Sequence, residues 1–287
     1  MADARPSPSL SPATGDVRTA VSADGSRIAY ERFGTEGPLV ILIGGALNDR
    51  RGRASGVALA RLLAPRLSAI AYDRRDRGDS TAAGPYSVAA EVADVAALIT
   101  AEAGAARSAA LFGMSSGAAL ALAAAAAAAA GVRVTKVAVY DPPFTVDAAG
   151  AAAAKDYAGL LAARLAQGDA DGALALFMAL VGVPAAAVAA MSKGPGWAAM
   201  ARLAPTLAHD SAVLDHRNGA PVPVAAVAKI AAPILALAGA ASPAVLRQSA
   251  ERIASAARQG TFRLLPGQTH DVAPEALAPA LADFFAA

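Results

Sequence analysis

The chain contains no cysteine. That excludes a disulfide framework, a thiolate metal site and a catalytic thiol. Three histidines are too few to suggest a zinc cluster beside any other role. Aromatic residues make up only 5% of the chain, and none of them interleaves with a basic patch. Lys and Arg are scattered, so a net charge of +2 and a pI of about 9.1 do not point to nucleic acid. The two local clusters, Arg50–Arg53 and Arg74–Arg77, fall in loops and are interrupted by acids. A membrane-spanning run is also missing. The longest apolar run, Ala118 to Ala130, has 13 residues, well short of the roughly 20 that a spanning helix needs. Residues 1–19 are rich in Pro, Ser and Ala and lack the apolar stretch of a signal peptide, so a flexible tail is expected there. These absences lead us to expect a soluble, cytoplasmic protein with no metal and no cofactor. Its partner is expected to be a small-molecule substrate, not nucleic acid or a membrane.

What is present is an alanine-rich, 56% hydrophobic chain of 287 residues. That is enough for one large core, or for a core with an inserted subdomain. Its organising stretch is Ser108 to Gly131. Ala109 to Phe112 read as a short buried strand, Gly113-Met114-Ser115-Ser116-Gly117 as a sharp turn, and the alanines that follow as a closely packed helix. Strand, G-x-S-x-G and helix in that order form a nucleophile elbow. The glycines allow the two backbone segments to approach closely, and the residue at the tip is held in a strained conformation. That residue is Ser115. The amide of Ser116 then lies in the first turn of a helix, where N–H groups lack intrahelical partners and the dipole favours an anion.

Elsewhere strands and helices alternate. Thr19 to Phe33 reads as a hairpin turning at Asp24-Gly25. Leu39–Ile43 is an uninterrupted apolar run, as expected of a strand buried on both faces, and strands are also expected at Ser68–Tyr72, Val134–Tyr140, Pro233–Ala238 and Thr261–Leu265. Helices are expected over Ser55–Leu63, Val88–Glu102, Pro243–Arg258 and Pro274–Phe285. This pattern predicts an α/β fold, a mostly parallel sheet with helices on both faces. In such sheets ligands bind at the carboxyl ends of the strands, and Asp73, Ser115, Asp141 and His270 each lie just after a strand. Between Phe144 and Ile230 the alternation stops. Helical runs near Ala151–Gln167, Gly172–Val181 and Trp197–Ala208 predict a helical cap over the strand ends. The expected organisation is a tail at 1–19, a core at 20–143 and 231–287, and a cap at 144–230.

Four features, in this order, resemble the α/β-hydrolase superfamily, in its serine-nucleophile branch. They are a strand ending in Gly44-Gly45-Ala46, the turn Tyr72 to Ser80, the elbow around Ser115, and Gly267-Gln268-Thr269-His270 before the last helix. The resemblance covers roughly residues 20–287 and implies an α/β-hydrolase fold and a Ser-His-acid triad. Ser115 would be the nucleophile and His270 the base. The backbone amides of Ala46 and Ser116 would form the oxyanion hole. Gly44 stands where many members have histidine, which leaves a backbone donor intact.

The acid departs from the common pattern. The loop after Pro233–Ala238 reads Gly239-Ala240-Ala241-Ser242-Pro243 and has no carboxylate. Some members, as in the dehalogenase branch, place the acid after the strand that follows the elbow, and there this chain has Asp141. Pro142 and Pro143 are expected to hold it extended and to remove two competing amides. His209 and His216, in the insertion, are expected to be exposed or capping residues. Asp73 and Arg74 are expected to brace the rim loops. A serine nucleophile argues for hydrolysis of an ester, lactone or thioester in a small, largely apolar substrate. C–C bond hydrolysis uses the same triad, and a non-hydrolytic, ligand-binding member of the fold also stays open.

Overall fold

A computed structural model of the chain describes residues 16–52, 55–127 and 131–287. Most of the tail expected at 1–19, Arg53 and the last alanines of the long apolar run lie outside these residues. The chain enters through β1 (Arg18–Val21) and β2 (Arg27–Phe33), an antiparallel hairpin. Its turn uses Gly25 at φ 88°, a conformation that favours glycine. Next come β3 (Leu39–Ile43), α1 (Val57–Leu63), β4 (Ser68–Tyr72), α2 (Val88–Glu102), β5 (Ser108–Met114), α3 (Ser116–Ala127) and β6 (Arg133–Tyr140). Six α-helices follow before the sheet resumes: α4 (Ala148–Ala166), α5 (Ala170–Leu180), α6 (Ala185–Met191), α7 (Trp197–Leu203), α8 (Leu207–Val213) and α9 (Val224–Val227). The chain closes with β7 (Ile234–Gly239), α10 (Ala244–Ala256), β8 (Gly260–Leu265) and α11 (Pro274–Ala286).

The strands form one eight-stranded sheet in the order β1-β2-β4-β3-β5-β6-β7-β8. β2 pairs antiparallel to β4, and every pairing from β4 onward to β8 is parallel. The strand residues alternate between two cores, because successive side chains point to opposite faces. Ile41, Ile43, Leu111, Val137 and Val139 pack with α2, α3 and α10 on one face. Val40, Leu42, Phe112, Ala138 and Leu237 pack with α1 and α11 on the other. Along α3 the buried side chains are alanines and leucines from Ala118 to Ala124. Among the described residues no helix is long and apolar enough to cross a membrane.

The helices between β6 and β7 leave and re-enter the core through a narrow neck. The Thr145 amide donates to the Ala220 carbonyl at 2.8 Å, and its hydroxyl donates to Gly219 at 2.6 Å. The insertion has its own apolar cluster of Tyr157, Leu161, Leu174, Met178, Trp197 and Leu207, which also reaches Ala46 and Leu47 at the end of β3. Phe144, by contrast, belongs to the sheet core, and Met191 is exposed. The helix expected over Trp197–Ala208 is broken into α7, a 3₁₀ turn at Ala204–Thr206, and α8. Pro205 explains the break: it has no N–H to donate, and its ring crowds the preceding turn. α6 and α9 were not anticipated, since neither segment carries a helical apolar stripe.

Candidate active site

Because β3 to β8 run parallel, their following loops gather at one edge of the sheet. The elbow lies at its middle. Ser115 has φ 55°, in the left-handed region, and its amide donates to the Tyr140 carbonyl at 3.0 Å. The flanking glycines are required by close approach. A Cβ on Gly113 would lie 2.3 Å from the Gly117 carbonyl oxygen, and one on Gly117 would lie 2.3 Å from that of Ile43. Ser115 itself is half-buried.

Asp141 follows β6 and is fully buried. Its Oδ2 lies 3.2 Å from His270 Nδ1 and accepts the Ser242 hydroxyl at 2.5 Å. Its Oδ1 accepts the Gly239 amide at 3.2 Å. The loop that lacks a carboxylate therefore supplies two donors to a carboxylate on the neighbouring strand. Asp141 is not extended, as expected from the prolines after it, but turned, with φ 46°. Its amide still completes the ladder to the Leu237 carbonyl at 3.0 Å, so the backbone turns only after that bond is made. The loop carrying His270 is anchored by Tyr140, whose hydroxyl donates to the Thr269 carbonyl at 2.6 Å. The His270 side chain is 43% exposed while that of Asp141 is 0% exposed, so one imidazole nitrogen faces a buried carboxyl group and the ring borders the rim.

On the other flank of Ser115 lies the Gly44-Gly45-Ala46 loop. A Cβ on Gly45 would sit 2.9 Å from the Ser115 Cβ. This brings the backbone before Ala46 against the elbow. Ser116, next to Ser115, is buried at the start of α3.

Behind these two segments is a cluster of buried charges. Arg74 binds Glu91 through both arms of its fork, at 2.6 and 2.9 Å, and reaches Asp210 at 2.7 Å. Arg77 donates to the other Asp210 oxygen at 2.7 Å and to the Gly45 carbonyl at 2.7 Å. Asp210 Oδ1 also accepts the Ser116 hydroxyl at 2.7 Å. Burial opposes the ionisation of Asp210, but Arg77 and Arg74 outweigh it and, with Ser116, hold its carboxyl down at about 2. Asp73 braces the rim as expected: it accepts the amides of Arg50 and Asp79 and pairs with the Arg50 guanidinium. Arg74 does more than brace a loop, since it joins the core to the insertion.

The histidines of the insertion are neither exposed nor capping. His216 is buried, edge-on to Tyr157 with ring centroids 5.2 Å apart, and its Nδ1 lies 3.3 Å from the Ser211 hydroxyl. His209 stacks on Tyr86 at 3.9 Å, nearly parallel. His209 is drawn into the seam between the insertion and the core by Tyr86, whereas His216 is buried within the insertion, against Tyr157 of α4 and Ser211 of α8. Burial lowers the pKa of each, that of His216 to about 4.

Residues 40–282 match the model of the alpha/beta hydrolase family. The chain belongs to that family. Among solved structures, an alpha/beta hydrolase from Sphaerobacter thermophilus is 43% identical, with a TM-score of 0.80 over 93% of this chain and 100% of that one. An esterase from Rhodococcus is 20% identical, with a TM-score of 0.64 over 94% and 98% of the two chains. The 2-hydroxy-6-oxo-6-phenylhexa-2,4-dienoate hydrolase of a Rhodococcus strain is 18% identical, with a TM-score of 0.65 over 96% and 100%. The last two show a shared fold. No curated protein matches the chain. Of the residues singled out in the sequence of this alpha/beta hydrolase, Ser115, Asp141, His270 and Ala46 lie on loops at one edge of the sheet and Ser116 opens α3. Sequence reasoning missed Ser242, Arg77 and Asp210. Ser242 had a signal, being the only side-chain donor in the loop where the family often has its acid. Asp210 had none, because its partners are 94 to 136 residues away.

Proposed function

We propose that this alpha/beta hydrolase is a serine hydrolase that cleaves an ester, lactone or thioester bond in a small, largely apolar substrate. Ser115 attacks the carbonyl carbon, and His270 takes its proton. Asp141 holds the imidazole in the tautomer that leaves Nε2 free to act and stabilises the imidazolium that forms. The amides of Ala46 and Ser116 receive the developing oxyanion. His270 then protonates the leaving group. Water repeats the sequence on the acyl-enzyme and releases the acid.

The observation that carries this reading is the pairing of His270 Nδ1 with Asp141 at 3.2 Å, at the sheet edge where Ser115 occupies its strained elbow. The ligand-binding alternative was motivated by the missing carboxylate after β7. The hydrogen bonds from Ser242 and Gly239 to Asp141 weaken that motive.

The test is labelling with a fluorophosphonate, beside a panel of esters, lactones and thioesters. Wild type should be labelled and should turn over at least one class, and Ser115→Ala should do neither. A folded wild type that resists the probe and leaves every substrate intact would sink the assignment.

A further inference from the structure

The Ser115 neighbourhood is held from behind by a residue that does not belong to the sheet. The Gly45–Ala46 peptide is trans, as are the other peptide bonds described, so its C=O and N–H point in opposite directions. Its carbonyl is fixed by Arg77 at 2.7 Å. The Ala46 N–H therefore points away from Arg77. The same guanidinium gives its other arm to Asp210 at 2.7 Å. Asp210 reaches the second side of the elbow as well, by accepting the Ser116 hydroxyl at 2.7 Å. One buried carboxylate thus reaches, through Arg77 to the Gly45 carbonyl and directly to the Ser116 hydroxyl, both backbone segments that flank Ser115. The carboxylate is carried by α8, in the insertion.

We propose that Asp210 is a positioning residue for the oxyanion site, acting through Arg77 on the Ala46 amide and, by accepting the Ser116 hydroxyl, on the Ser116 amide; this rests on Ser115 being the nucleophile. Arg77 is suited to the task because a guanidinium offers donors in a fixed fork. Two bonds from one rigid plane set the carbonyl and the carboxylate relative to each other. The insertion therefore supplies a side chain that helps to set the oxyanion site.

An oxyanion donor misplaced by a fraction of an ångström weakens transition-state binding and leaves ground-state binding nearly unchanged. The experiment compares p-nitrophenyl acetate with its thionoester, using the full chain. Sulfur is larger and a weaker acceptor than oxygen, so the thionoester depends less on well-placed amides. Asp210→Asn should lower kcat for the oxygen ester by about ten- to a hundredfold and leave KM within about threefold. The thionoester rate should fall much less, so the oxygen-to-sulfur preference should drop by about tenfold. Ser116→Ala removes one arm without stranding a charge. It should shift the same ratio in the same direction, by several-fold, and provides the test if Asp210→Asn does not fold. Unchanged rates, or equal losses on both esters with an unchanged ratio, would overturn the proposal and leave Asp210 a structural residue only. Hydrolysis by wild type that is lost in Ser115→Ala separates that failure from failure of the nucleophile assignment. If wild type shows no Ser115-dependent hydrolysis, the nucleophile assignment falls and this proposal falls with it.

Discussion

Ser242 sits where many relatives carry their acid, yet here it serves an acid one strand away. Its hydroxyl and the Gly239 amide are, among the described residues, the donors that Asp141 has besides His270. A carboxylate with two fixed donors keeps one orientation, and the imidazole inherits it. Two substitutions should therefore differ in degree. Asp141→Asn retains the shape but loses the charge and can stabilise the wrong tautomer, so kcat should fall by about 10³–10⁴-fold. Ser242→Ala leaves the charge and frees its orientation, so kcat should fall by about tenfold with KM kept. Steady-state kinetics on any active ester decides both; an equal loss in the two would mean that Ser242 is essential to Asp141 itself. At this scale the sequence was legible wherever a residue's role is set by its place in the chain. Ser115 and Asp141 each follow directly on a strand and His270 lies in the loop between β8 and α11, in the chain order that the resemblance implies for the proposed triad. The fully buried Arg74, Arg75 and Arg77 were not legible. A cluster of arginines in a loop reads as solvated, and only partners such as Glu91, Asp94 and Asp210 make its burial tolerable.

β3 and β7 were legible as elements because a strand buried on both faces is an uninterrupted apolar run, whereas β6 and β8 carry charged residues and are partly exposed, and were legible from their place in the alternation. Their observed bounds differ from the expected ones by a residue or so. The insertion was legible only as helical. Its alanines give no stripe to count, so the break at Pro205 and the short α6 and α9 went unseen. The packing of α4 against α8 and the 3₁₀ turn at His216–Asn218 also depends on a group whose burial no local pattern announces. In the unfolded chain a histidine takes up a proton near pH 6.5, whereas burial lowers the folded value for His216 to about 4, against the opposing pull of Asp210 and Asp215. Between those values the unfolded chain binds more protons. The stability that His216 contributes is therefore complete above about pH 6.5 and is lost as the pH falls toward 4. The loss should be roughly 3 kcal/mol. Urea midpoints measured from pH 7 to pH 4 should fall steeply in wild type and less so in His216→Gln. His209 keeps part of the slope, since burial lowers its pKa in the same sense. Identical slopes in the two proteins would show that His216 is protonated in the folded state without penalty.

At the scale of the molecule, the insertion and the sheet are joined by more than the neck at Thr145 and Ala220. Asp210 crosses the seam and faces two cations with different reserves. Arg74 retains both bonds to Glu91 if Asp210 is removed. Among the described residues Arg77 is then hydrogen-bonded only to backbone carbonyls, Gly45 at 2.7 Å and Asn48 at 3.5 Å, with the Glu91 charge nearby but not bonded to it. A buried charge stranded in this way is destabilising by about 3–5 kcal/mol, whereas an apolar side chain of similar volume in its place is often nearly neutral. Asp210→Ala should therefore be costly alone. Adding Arg77→Met should return part of the loss, because the stranded charge goes with it. The pair should be far from additive, as expected of residues in one network. Urea unfolding of the two single variants and the double variant measures the coupling directly. Strong coupling would mean that the insertion is held to the core by a charge the core cannot do without, so the sheet with its own arginines is not a stable unit without the insertion. Additive losses would mean that water or local rearrangement satisfies Arg77 when Asp210 is gone. The seam would then rest on the apolar cluster around Leu207 and on the stacking of His209 on Tyr86.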